Sequence, residues 1–290
     1  MTLPPTPGVA FRAGGVPPYP ADLYRFAGVV EDGVDGLASV DDAAVRRFHR
    51  DGYLVIRDAL GAQEVAEALD EMLDLLALPK AEFGGIHFEH LAPNEKLAEM
   101  APEVRQDYVR KFFNFVQFAP RIKGLSEHPA LLDAVARVIG ARPALFQDMA
   151  LLKPPRIGRE KPWHQDHAYF DLPLDTPVVG VWIALDRATT DNGCMTVIPG
   201  SHRRGPVVHF QRRDWQICDT HVDTRGALAV PLEPGGCLLF SSFTHHGTPT
   251  NTGSERRRAL QFHYAPAGAG RISTEQRMAV FGSEGKSVTC

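Results

Sequence analysis

From about residue 143 the chain breaks into short β-prone runs with turns rich in Gly, Pro and Asn between them. The runs are 145–153, 162–170, 178–185, 194–198, 227–231, 236–241 and 257–264. Short strands with turn punctuation predict an all-β sandwich or barrel, here a jelly roll. The first half reads differently. Ser39 followed by Asp42 resembles a helix start, and the helix it opens would bury Val40, Val45 and Phe48. Gly52-Tyr-Leu-Val-Ile-Arg57 is a β-prone run. Ala62 to Leu78 has Val65, Leu69, Met72, Leu73 and Leu76 at helical spacing. Pro129 to Ile139 predicts another helix, with proline in its first turn and Gly140 as its cap. With helices early and strands late, the expected class is α+β. The expected organisation is a Pro/Gly-rich arm over 1–38, one domain over 39–266, and a tail or lid over 267–290.

A length of 290 residues suits one large domain or two small ones. The net charge of −4 and the lack of a long basic stripe give no reason to expect nucleic-acid binding. No apolar run reaches the roughly 18–20 residues that a membrane span needs. Met1-Thr-Leu-Pro-Pro5 lacks the basic and apolar regions of a secretory signal. Cys194, Cys218, Cys237 and Cys290 form no CxxC pair, so reduced thiols in a cytoplasmic protein are expected.

Two runs carry chemistry. In Pro162-Trp-His-Gln-Asp166, an extended backbone sends His164 and Asp166 to one face. A further histidine, His245 or His246, would complete two imidazoles and one carboxylate. That set is the facial triad of non-heme Fe(II) oxygenases. A histidine bonded to the backbone of its own strand fits the first run equally well. Arg257 lies eleven residues after His246 on the next run. Buried on a strand, it needs an anionic partner, whereas Arg256 and Arg258 point the other way. The same triplet also fits a solvated charge run after a turn.

Taken in order, Pro162-Trp-His-Gln-Asp166, Asp191-Asn-Gly-Cys-Met195, Ile198-Pro-Gly-Ser-His202 and His246-Gly-Thr with Asn251 and Arg257 resemble the phytanoyl-CoA dioxygenase (PhyH) family. Asp51-Gly-Tyr-Leu-Val-Ile56 extends the resemblance, which covers roughly residues 48–266. It implies a double-stranded β-helix with helices packed on one side. It also implies an Fe(II)- and 2-oxoglutarate-dependent dioxygenase that uses O₂, hydroxylates a small molecule and releases succinate and CO₂.

By residue, the resemblance implies that His164, Asp166 and His246 hold iron. His246 is preferred to His245 because the family's cosubstrate arginine follows its distal histidine by eleven residues. Arg257 would grip the far carboxylate of 2-oxoglutarate. Gln165, Trp182, Met149 and Lys111 would lie at the cosubstrate; Trp182 and Met149 fit core positions equally, and Lys111 a surface lysine. Asp166 argues for oxygenation over halogenation, while desaturation, epimerisation and ring formation stay open. Rival classes are a non-catalytic ligand-binding module and a cupin-type metalloenzyme without 2-oxoglutarate. Residues 79–123 and 203–225 are expected to form the variable pocket walls. The second segment holds Arg203, Arg204, His209, Arg212, Arg213 and His221, read as a solvated cluster.

Overall fold

Val181 and Ile183 point from one side of the strand Val179–Ala184, and Trp182 and Ala184 from the other. Each side meets a different layer. The computed structural model describes residues 19–93 and 95–290. Its larger sheet has eight strands, in the order Val34–Asp35, Tyr53–Arg57, Cys237–Ser241, Val179–Ala184, Arg257–Pro266, Pro143–Lys153, Val109–Phe113 and Ile86–Phe88. The smaller sheet runs Gly28–Val29, Leu228–Val230, Met195–Val197, His246–Thr248 and Lys161–His164. From Lys161 the strands pass between the sheets: smaller, larger, smaller, and later smaller, larger, smaller, larger. This winding gives an open two-sheet sandwich, and neither sheet closes on itself as a barrel.

Helices Asp42–Asp51, Ala62–Ala77, Pro120–Ser126 and Pro129–Ile139 cover the outer face of the larger sheet. Phe48, Met72, Leu75, Ile122 and Val135 pack there with Ile56, Phe112, Val181, Leu260 and Phe262. Burying such side chains contributes about 1.5–3 kcal/mol each. That layer fixes the strands, so the inner face is free to carry polar groups. Glu71, nearly buried, accepts the Arg121 and Ile122 amides at 3.0 and 2.7 Å and so caps the third helix. The first helix is capped by Asp41, not Ser39: the Asp41 carboxylate accepts the Ala44 amide at 2.8 Å.

Several expectations need correction. The run 162–170 is a strand only to His164; Asp166–Tyr169 is a 3₁₀ turn. Residues 19–38 of the expected arm are built into both sheets. Gly28–Val29 pairs with Leu228–Ala229 in the smaller sheet, and Val34–Asp35 pairs with Ile56–Arg57 in the larger. Residues 1–18 of the expected arm lie outside the described residues. The tail holds the helix Thr274–Phe281, started by a Ser273/Gln276 capping box and anchored by buried Phe281. The thiols are not all reduced either. Cys218 and Cys290 are bonded, with Cα atoms 5.3 Å apart, while Cys194 and Cys237 are free and buried. Among the described residues no helix is long and apolar enough to cross a membrane.

Candidate metal and cosubstrate site

His164 ends one strand of the smaller sheet and His246 begins its neighbour, where the two are direct cross-strand partners. Gln165 is extended (φ −112°, ψ 130°), so Asp166 returns to the His164 side even though the strand has ended. The three buried side chains each bring a ligand atom within 4.8 Å of the others. Asp166 Oδ1 lies 3.1 Å from His164 Nε2 and 3.5 Å from His246 Nε2.

Backbone carbonyls set the tautomers. His164 Nδ1 donates to Pro162 O at 2.7 Å and His246 Nδ1 to Thr244 O at 2.9 Å. Both Nε2 lone pairs are thereby turned toward Asp166, as metal-ligating imidazoles require. Burial, with His246 and Lys161 nearby, pulls the His164 pKa down to about 4, so its imidazole is neutral near pH 7. For Asp166, burial opposes ionisation. The facing His246, His263 and His164 outweigh it and hold the carboxyl well below the usual range. The second carboxylate oxygen is also engaged: Asp166 Oδ2 lies 2.7 Å from His263 Nε2 and 3.3 Å from Gln261 Nε2. These residues therefore present a neutral imidazole, a second imidazole of matching tautomer and an ionised carboxylate.

Arg257 sits on the inner face of the last strand, 2% exposed. Nη1 donates to Leu151 O at 3.0 Å, and Nε has no partner among the described residues. Its guanidinium lies 5.4 Å from the Trp182 ring centre. Burial pulls its pKa down to about 10. A buried cation without a counter-ion is costly. This orphaned guanidinium fits a dicarboxylate cosubstrate, which would supply the missing charge and accept two N–H bonds. Arg257 and the triad line one cavity of about 760 Å³.

Met149 and Lys111 line this cavity too. Trp182 does not; it is fully buried beside Arg257 and supports that side chain from the core. Gln165 is a correction. It faces away and donates to Gly205 O and Phe243 O at 2.8 and 2.9 Å while accepting the Val207 amide. The alternation that unites residues 164 and 166 is what expels 165. His245 is buried outside the cavity wall. Both expected wall segments contribute: His87, Arg110, Phe113 and Asn114 from the first, Gln211, Asp214 and Trp215 from the second. The second is not simply solvated, because His209 is buried and Arg213 is paired with Glu160 and Asp219. Sequence reasoning missed Gln261 and His263. Their signal is the same period of two that carries Arg257 inward.

The PhyH family, described as phytanoyl-CoA dioxygenase, matches residues 48–259. "Phytanoyl-CoA dioxygenase domain-containing protein 1" of Danio rerio is 25% identical over 259 residues, covering 77% of this chain and 89% of that protein. "Phytanoyl-CoA dioxygenase 1" of Oryza sativa subsp. japonica is 28% identical, covering 78% and 89%. Among solved structures, the epimerase SnoN in complex with Fe³⁺, alpha ketoglutarate and nogalamycin RO superposes with a TM-score of 0.65 at 21% identity, covering 87% of this chain and 93% of that one. That likeness bears on the fold alone. The family match runs from the first helix through the triad to the strand that carries Arg257, and the chain belongs to the phytanoyl-CoA dioxygenase (PhyH) family.

Proposed function

We propose that this protein is an Fe(II)- and 2-oxoglutarate-dependent dioxygenase that hydroxylates an unactivated C–H bond of a small molecule. The observation that carries this reading is one cavity holding both a buried His-Asp-His cluster and an arginine with no anionic partner. A relic binding module has no need of both.

His164, Asp166 and His246 would hold the metal, and Arg257 the far carboxylate of 2-oxoglutarate. Iron with 2-oxoglutarate and O₂ supplies the oxidising power, and succinate and CO₂ leave. The protein's share is placement. Pro162 O and Thr244 O fix the imidazole tautomers, and His263 with Gln261 fixes the carboxylate. Three protein donors leave part of a metal's coordination sphere open. Met149, Leu151, Phe113 and Phe170 line the cavity with apolar surface that limits water.

Asp166→Ala and His246→Ala should each abolish substrate-linked succinate formation, followed by mass spectrometry with gain of one oxygen on the substrate. Full turnover by both variants would overturn the assignment.

A further inference from the structure

Two segments of the cavity wall are joined by a covalent bond that the proposed chemistry does not use. The hairpin formed by His209–Gln211 and Trp215–Ile217 brings Gln211, Asp214 and Trp215 to the cavity. The tail helix Thr274–Phe281 brings Arg277. Cys218 directly follows the hairpin, and its disulfide to Cys290 spans 72 residues of sequence. The bond therefore ties the tail that follows the helix to the hairpin beside it.

Other bonds hold the tail only as far as its helix. Phe281 packs there with Trp215 and Ala168, and Arg277 donates to Asp171 at 2.7 Å and to Ala168 O at 2.6 Å. Residues 284–290 are largely exposed. Among the described residues, hydrogen bonds beyond Gly282 stay within the tail, at Val280, Ser283 and Lys286, with one exception. Arg212 of the hairpin donates to Cys290 Sγ at 3.2 Å. The disulfide is what keeps this stretch on the hairpin. Closing so long a loop takes much conformational freedom from the chain, and opening it returns that freedom.

The surroundings of the two sulfurs favour exchange. Cys218 is buried at 1% exposure, whereas Cys290 is exposed. A thiolate arriving from solution meets Cys290 Sγ first and displaces Cys218. The Thr220 hydroxyl, 3.2 Å from Cys218 Sγ, can donate to the departing thiolate. The Arg212 guanidinium stabilises Cys290 as a thiolate once the bond is open. Exposed disulfides with stabilised thiolates are the ones that open readily. Cys194 and Cys237 do not compete, because both are buried. Burial pushes the Cys194 thiol up to about 11 and raises that of Cys237 as well.

We propose that Cys218–Cys290 is an exchange site for a dithiol reductant, and that opening it loosens the tail helix from the hairpin and widens access to the cavity. One thiolate of the dithiol attacks Cys290 Sγ, the S–S bond breaks, and Cys218 leaves as a thiolate. The second thiol of the reductant then attacks its own sulfur in the mixed disulfide and releases Cys290. The reductant ends as a disulfide, and the protein gains two electrons and two protons as two thiols. A disulfide oxidant reverses the step. The site lies apart from the proposed metal and cosubstrate, and it stands whatever reaction the cavity performs.

The test uses full-length protein without metal or 2-oxoglutarate, so its result is independent of the oxygenase reading. Protein equilibrated with glutathione disulfide, then denatured and alkylated, should show two thiols by mass, Cys194 and Cys237, with no glutathione attached. Dithiothreitol applied to the native protein should raise the count to four. Opening should speed amide hydrogen exchange at least about tenfold over both the hairpin and the tail helix, as for a local opening. The strands Lys161–His164 and His246–Thr248 should exchange as before. Acrylamide quenching of tryptophan fluorescence should rise, because Trp215 lines the cavity while Trp163 and Trp182 are fully buried. Cys290→Ser should show the open pattern without reductant, and dithiothreitol should then change nothing further. Four thiols after glutathione disulfide, or two after native dithiothreitol, overturns the exchange site. Four thiols on native reduction with unaltered exchange and quenching overturns its hold on the cavity.

Discussion

His263 Nε2 lies 2.7 Å from Asp166 Oδ2, on the side of the carboxylate turned away from His164. Phe146, Phe170 and Phe240 surround the imidazole, which is fully buried. The bond occupies one carboxylate oxygen and leaves the other to a metal. His263→Phe keeps the aromatic volume and removes the donor. Fe(II) affinity measured by calorimetry should fall about 10- to 100-fold, as for other residues that orient metal ligands. His263→Gln, which restores a donor, should recover part of it. Equal metal affinity in all three proteins would refute the positioning role.

Arg257 gives a prediction with two opposite signs. Arg257→Met should raise the KM for 2-oxoglutarate at least about thirtyfold, because one half of a buried charge pair is removed. The same change should leave the melting temperature of the apo protein unchanged or raise it. Without cosubstrate this guanidinium is a buried cation with an idle Nε. Calorimetric melts with and without 2-oxoglutarate check both signs.

His209 should make stability depend on pH. Its Nδ1 donates to Val207 O, and its Nε2 accepts the Gln165 amide at 3.0 Å, so both nitrogens are used in the neutral form. Burial is the main cause that pulls its pKa down to about 3, from 6.5 in an unfolded chain. Below pH 6.5 the unfolded state takes up a proton that the folded state refuses. Stability should therefore fall as pH drops from about 6.5 toward 3, by roughly a few kcal/mol from this residue. Urea melts of His209→Gln should show a shallower slope over that window.

Gly180 lies under Phe240, whose ring is 4.6 Å from His246. A Cβ at position 180 would run into that ring. Gly180→Ala should cost about 1–3 kcal/mol by overpacking. It should also weaken metal binding, since Phe240 backs the His246 ring. Denaturant melts and a metal titration on the same variant separate the two effects.

The period of two explains both what the sequence disclosed and what it hid. It brought His164 and Asp166 together and aimed Arg257 inward, all from position alone. It also carries Gln261 and His263 inward on the run 257–264, but neither belongs to the motifs that mark His164, Asp166, His246 and Arg257. The same alternation turns Gln165 away from the cavity, although the family likeness implies a place beside the cosubstrate. Other features left no local signal. Gly28–Val29 and Val34–Asp35 are two-residue strands, too short for any pattern. Cys218 and Cys290 meet across 72 residues, and only the packing of the tail brings them near. The helical layer was more legible, because Ala62–Ala77 and Pro129–Ile139 carry full turns of apolar spacing and clear end signals.

Trp163, next to the first proposed ligand, leans on a part of the chain that lies outside the family match. Tyr24 stacks on its ring at 5.7 Å, Leu23 O accepts its indole N–H at 3.0 Å, and the Tyr24 hydroxyl donates to buried Glu160 at 2.8 Å. The boundary of similarity at residue 48 is therefore not a boundary of the machine. A fragment trimmed to the matched region would retain every proposed ligand but lose Leu23 and Tyr24 behind Trp163 and, at the other end, Gln261 and His263 behind Asp166. For anyone expressing this protein, the start of the recognisable domain is the wrong place to cut, because Leu23 and Tyr24 ahead of it hold Trp163.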